Sequence, residues 1–186
     1  MMKRIIYMVL IMLLLLSITA CGSKEPNHEV TDFPPSIGEL KNRLEEYFDV
    51  VYGEGEYSLK VDTYPSGEDM SIWIEPKGGS LCAFIRPMIA SSNEGLPCAR
   101  LSVVYSVDGV VKIERYGQAI LWACGVGESP NDRAKLIDQA VKIIQNDSED
   151  ILNEVLGDLQ VIFRRYEDPE STSTLNQYEL IVQPIS

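Results

Sequence analysis

SIGELKNRLEEYFDVVYGEGEYSLKVDT, residues Ser36–Thr63, carries two periodicities back to back. In its first half Ile37, Leu40, Leu44, Tyr47, Phe48 and Val51 recur every three to four residues, which puts them on one stripe of a helix. Ser36 and Glu39 form an S-x-x-E capping box, and Gly53 and Gly55 end the helix. The opposite face holds Glu39, Glu45, Glu46 and Asp49, where a helix lying on a membrane would carry Lys and Arg. This is a helix laid across a sheet. The second half changes period: Tyr57, Leu59, Val61 and Thr63 alternate with Ser58, Lys60 and Asp62, a strand with one wet face.

Beyond Thr63 the strand pattern continues. Pro65-Ser66-Gly67 turns the chain, Met70, Ile72 and Ile74 alternate again, and Pro76–Gly79 is a second turn. Leu81–Arg86 is apolar on both faces and so predicts a central strand, and a longer connection follows to Pro97. Leu101–Arg115 reads as a hairpin. A three-residue loop, Val107-Asp108-Gly109, sets Tyr105 against Val111 and Val103 against Ile113, whereas a two-residue turn mixes apolar with charged partners. Gln118–Cys124 reads either as another strand or as a short helix. Ser129 as cap, Pro130 at the first position and Leu136, Ile137, Ala140, Val141 and Ile144 as stripe predict a second helix. Ile151, Leu152, Val155 and Leu156 predict a short third helix ending near Gly157, and residues 160–166 and 177–183 predict a final pair of strands.

Upstream of Ser36 the chain has another character. Lys3 and Arg4 precede an unbroken apolar run, Ile5–Leu16, and the segment closes Ile18-Thr19-Ala20-Cys21. Positive start, short apolar run and small residues at a cut site is the layout of a secretory leader. A run this short falls below the roughly 20 residues of a membrane span. The ending resembles the lipobox of bacterial lipoproteins, and the resemblance covers the leader alone. It implies cleavage after Ala20 and a lipid on the thiol of Cys21. The expected organisation is a leader over 1–20, the lipidated Cys21 with a tether to residue 35, and one domain over 36–186. The tether after Cys21 can reach at most about 45–50 Å.

The chain of 186 residues has a formal charge of −12, and both basic residues of the leader lie before Cys21, so the remainder sits near −14. That balance excludes nucleic acid, whose binding proteins need a cationic surface. It equally keeps the domain itself off anionic lipid. Partners favoured by charge are cationic.

Little in the sequence carries chemistry. The single histidine, His28, lies in the tether, which leaves the domain without a Ser-His or Cys-His pair and without a histidine zinc site. Cys82, Cys98 and Cys124 are an odd set once Cys21 is lipidated. A hairpin closed near Asn93 pairs Cys98 with Pro87 and Cys82 with Val103, leaving the thiols roughly 16 Å apart, too far for a bond. A shorter loop would bring them opposite each other, so buried thiols and a Cys82–Cys98 bond both stay open. Gly125-Val126-Gly127-Glu128 precedes a helix start but lacks the lysine and third glycine of a phosphate loop, and reads as turn and cap. Glu54, Glu56, Glu68, Asp69, Asp147, Glu149 and Asp150 match no recognisable motif. Trp73, beside Ser71 and Glu75 on the polar side of its strand, is the one pointer to a binding surface if it is exposed; packing under a loop is the other and more ordinary reading.

The fold expected is α+β: an N-terminal helix packed on a twisted, mostly antiparallel sheet, with two further helices before a C-terminal hairpin. The function expected is that of a non-catalytic binding or assembly module, held by the lipid on Cys21 at the outer face of the cytoplasmic membrane. It would act on an envelope or membrane protein, with no metal and no cofactor. The alternative is a carboxylate-based hydrolase of cell-wall glycans.

Overall fold

The computed structural model describes residues 35–63, 70–79, 83–88, 98–104, 107–127, 129–166 and 177–185. The leader, Cys21, the tether as far as Pro34, the Pro65-Ser66-Gly67 turn and Cys82 lie outside these residues.

Helix α1, Ile37–Tyr52, forms where its stripe requires. The Ser36 hydroxyl accepts from the Glu39 amide at 3.2 Å, and Gly53, at φ 108, closes the other end by donating its N–H to the Asp49 carbonyl. Glu39 does not complete the reciprocal half of the capping box: its carboxylate takes the guanidinium of Arg43 instead. Leu40, Leu44, Tyr47 and Phe48 are buried, each large apolar chain contributing about 1.5–3 kcal/mol.

The strands are β1 Tyr57–Thr63, β2 Met70–Pro76, β3 Ala83–Met88, β4 Cys98–Val104, β5 Leu152–Leu156, β6 Leu159–Tyr166 and β7 Gln177–Pro184. They make one seven-stranded sheet in the order β1-β2-β3-β4-β7-β6-β5, antiparallel at every pairing. β3 lies between β2 and β4, as its apolar run predicts. Two meanders, β1 to β4 and β5 to β7, meet where β4 pairs with β7, setting Ala99 against Val182, Leu101 against Leu180 and Val103 against Tyr178.

Between the meanders the chain is helical. Helix α2, Val107–Lys112, runs into a π turn, Ile113–Gly117, and on through α3, Gln118–Ala123; helix α4 spans Pro130–Gln145. Lys112 and Gln118, at φ −65 and −57, keep the helical backbone continuous through the π turn. One core joins α1, these helices and one sheet face, with Leu40, Ile74, Ile113, Tyr116, Phe163 and Leu180 all fully enclosed.

Three local expectations are corrected. Leu101–Arg115 is not a hairpin: Leu101–Val104 takes β7 as its partner and Val107 begins a helix. Ile113, Tyr116 and Ile120, three and four residues apart, bury a helical stripe that overrides the strand preference of the Val and Ile residues around them. For the same reason Gln118–Cys124 resolves as helix. Residues 152–156 are a strand rather than a third helix, because Gly157, at φ 63, makes the first position of a two-residue hairpin turn that pairs Leu156 with Leu159. Finally, β3 and β4 pair Met88 with Cys98 and Pro87 with Ala99, one residue away from the expected register. The fold class stands as read, α+β with an N-terminal helix, an antiparallel sheet and a closing antiparallel strand pair; of the two further helices expected, the one from Pro130 forms, and the other helical stretch lies at 107–123 rather than at 151–156.

Candidate functional site

Side chains alternate across a strand, so the residues buried against the helices fix which face each remaining residue takes. Tyr57 and Leu59, Ile72 and Ile74, Val161 and Phe163, Tyr178 and Leu180 point to the helices. Phe48 of α1 stacks on Tyr57 with ring centroids 4.4 Å apart, and Leu180 lies under Gly117 of the π turn. The alternate positions, Lys60, Asp62, Ser71, Trp73, Ile162, Arg164, Glu179 and Ile181, form the other face, and none of the described helices lies on it.

That second face is not simply a wet surface. Ser71 is 1 % exposed, Ile181 4 % and Glu179 0 %, while Trp73, Ile162 and Tyr166 are half-buried. Trp73 thus sits between the two expectations for it, neither fully exposed nor packed away. Its cross-strand neighbours are Lys60 on β1 and Phe84 on β3. Its neighbours along β2 differ: Ser71 is enclosed and Glu75 is exposed, 4.0 Å from the Lys60 ammonium.

Further along, Glu179 stands opposite Ser102 and Arg164. Arg164 Nε donates to Glu179 Oε1 at 2.7 Å. A carboxylate taken wholly out of water needs such a charge-assisted bond, since burial of an uncompensated charge costs several kcal/mol. The Arg164 side chain is 46 % exposed and that of Glu179 1 %, so the pair has its arginine side in solvent and hides its anion. The signal of Glu179 in the sequence is one acid inside the apolar run Tyr178–Val182, a weak one because a glutamate in a strand ordinarily marks a wet face.

The other residues singled out by sequence are scattered. Glu54 and Glu56 lie at the turn after α1, where Glu56 meets Lys77 at 3.3 Å. Asp147, Glu149 and Asp150 follow α4: Asp147 accepts from the Tyr178 hydroxyl at 2.8 Å, Glu149 stands 3.6 Å from Arg165, and Asp150 accepts from Ser148. Glu68 and Asp69 are outside the described residues. Among the described residues no group of three His, Cys, Asp or Glu side chains is placed to hold a metal ion. The Gly125–Gly127 loop is turn and cap: Ser129 Oγ accepts from the Asp132 amide, and Arg133 donates to the Val126 and Gly127 carbonyls. Cys124 is a buried thiol. No described helix is long and apolar enough to cross a membrane.

Comparison with protein-family models, with curated proteins and with solved structures finds no match to this chain.

Proposed function

We propose that this chain is a lipid-anchored protein of the bacterial cell envelope that works by contact, as a non-catalytic binding or assembly module. In this reading the lipid on Cys21 holds it at the outer face of the cytoplasmic membrane, and the sheet face carrying Trp73 meets an envelope or membrane protein. The observation that carries the reading is a half-buried tryptophan on the face away from every described helix, with the Arg164 guanidinium further along the same face. Tryptophan and arginine are the side chains that most often anchor protein interfaces. The lipobox-like ending supports the anchor, and a short tether raises the effective concentration of the domain towards membrane neighbours.

Two measurements in intact cells test it. Cys21→Ala leaves the protein unprocessed and without lipid; cleavage and membrane partition as before would refute the anchor. A photo-crosslinker at position 73 captures a membrane or envelope protein that the same crosslinker at Lys135, on the exposed side of α4, does not. Equal capture from both positions, or wall-glycan hydrolysis by the purified chain that one carboxylate substitution abolishes, would refute the module.

A further inference from the structure

Away from the Trp73 face, three side chains from three elements converge. Tyr52 is the last residue of α1, Tyr57 the first of β1, and Arg115 projects from the π turn. The two phenol rings lie 5.2 Å apart at 56°. Beneath them Phe48 stacks on Tyr57, and Tyr116, fully enclosed, meets Phe48 edge-on at 6.0 Å. Arg115 closes the rim: its guanidinium carbon stands 5.6 Å over the Tyr52 ring, and Nη1 donates to the Tyr57 hydroxyl at 3.2 Å.

Lys41, Arg43, Lys60, Lys77, Arg164 and Arg165 each stand within 4.0 Å of a carboxylate. Arg115 meets no carboxylate among the described residues, in a chain with 28 acidic side chains against 16 basic ones. Its hydrogen bond to Tyr57 uses one of five N–H groups. Because the Tyr57 oxygen accepts that bond, its own proton is turned towards a second acceptor, and no described group takes it. The Tyr52 hydroxyl likewise has no partner among the described residues. Burial, and then the neighbouring Tyr57, hold the Tyr52 pKa above its ordinary value against the opposing pull of Arg115, so its proton stays in place at neutral pH.

Among the described residues, then, the hydroxyl protons of Tyr52 and Tyr57 and the remaining N–H groups of Arg115 have no acceptor, gathered around one cation over an aromatic floor. A guanidinium edge with a phenol beside it matches the two oxygens of a planar carboxylate. A single positive charge set in a field of −12 balances one negative charge and disfavours a dianion such as phosphate. We propose that Tyr52, Tyr57 and Arg115 form a binding site for a carboxylate borne on an apolar or aromatic body, the carboxylate on Arg115 and Tyr57 and the body against the half-exposed ring of Tyr52. This site is separate from the Trp73 face and stands or falls apart from it.

The test is an NMR titration of the full chain in detergent, following the Arg115 Nε–H and the tyrosine ring signals. The probes are N-acetylphenylalanine, with a terminal carboxylate, and N-acetyl-Glu-Phe-amide, with a side-chain carboxylate. N-acetylphenylalaninamide and phenyl phosphate are the controls. Saturable shifts with either carboxylate, at least about tenfold weaker in Arg115→Met and weakened in Tyr57→Phe, are expected; which probe saturates separates a chain terminus from an acidic side chain as the source. Tyr57→Phe keeps the aromatic floor, so its loss of affinity reports the hydroxyl rather than misfolding. No saturation by either carboxylate, equal shifts with the neutral amide, tighter binding of phenyl phosphate, or unchanged affinity in Arg115→Met would overturn the proposal.

Discussion

A methyl group placed on Gly117 would stand 2.6 Å from Cδ1 of Ile137, with Leu180 and Ile113 3.6 and 3.5 Å away. At this position the missing side chain lets α4 close on the π turn. Gly117→Ala gains about 1 kcal/mol of helix propensity, but overpacking ordinarily costs about 1–3 kcal/mol. The expected net is a modest loss, read by urea unfolding with an unchanged slope. Removing the clashing methyl identifies the cause: Gly117→Ala with Ile137→Val is expected to be more stable than the two single changes sum to, a coupling of about 1 kcal/mol. Strict additivity would show that the close approach is unimportant. Tyr52 gives a second residue-scale expectation. Its folded pKa lies above the usual value of 10.0, with burial the first cause. The folded state then holds the Tyr52 proton longer than the unfolded chain does. Stability is unaffected below about pH 10 and falls as pH rises from there through the folded pKa. Tyr52→Phe flattens that alkaline decline; an identical slope in the variant would contradict the assignment.

Among the elements, the exit of α3 is held from two sides by enclosed arginines. Arg43 of α1, 5 % exposed, donates Nη1 to the Ala123 carbonyl at 3.0 Å. Arg133 of α4 donates Nη1 to the carbonyls of Val126 at 3.2 Å and Gly127 at 3.1 Å. Positive charge at the carbonyl end of a helix is favourable, and here it satisfies oxygens that would otherwise lack partners. Arg43→Met is expected to cost about 1–3 kcal/mol, and Arg43→Lys to recover less than half, because an ammonium cannot reach Glu39 and Ala123 in one planar fork. Full recovery by lysine would reduce the interaction to simple charge. Neither arginine stood out in the sequence, since both occupy the buried stripes of amphipathic helices, where a long charged residue reads as a break in the pattern. What was legible had strong local signals: α1 with its cap and glycine stop, α4 with Ser-Pro, the alternation in β1 and β2, and the strand-forming runs of β6 and β7. What was not legible depended on distant partners. Leu101–Val104 could be read as half of a hairpin because its true partner, β7, lies far along the chain. Leu152 and Leu156 fit a helix until the Gly157-Asp158 turn is given its hairpin role. Trp73 was placed on the correct strand face by alternation, but its half-burial depends on the whole sheet, as does the enclosure of Glu179.

For the molecule as a whole, the sheet has two edges, β1 and β5, and its middle is β3, β4 and β7. Edge strands lack a partner on one side and open locally at low cost, while central strands exchange only through global opening. Hydrogen exchange is expected to protect the amides of β4 and β7 longest and to release those of β5 first, aided by a β5 surface on which Val155 is 55 % exposed. Equal protection of β5 and β7 would show that the sheet opens only as a unit.

The seam between β4 and β7 also sets a timetable. A ribosome emits the chain from the amino terminus, and β4 must wait for its neighbour until Gln177–Pro184 has appeared, more than seventy residues later. Until then β1 to β4 and β5 to β6 are separate ribbons, and β4 is an open edge. Joining segments so far apart along the chain is slow, because the intervening loop must be closed before any pairing rewards it. A stop codon after Asn176 would therefore do more than shorten the protein: it would remove the strand that joins the two ribbons, and the product is expected to be degraded or to aggregate rather than persist as a slightly smaller domain.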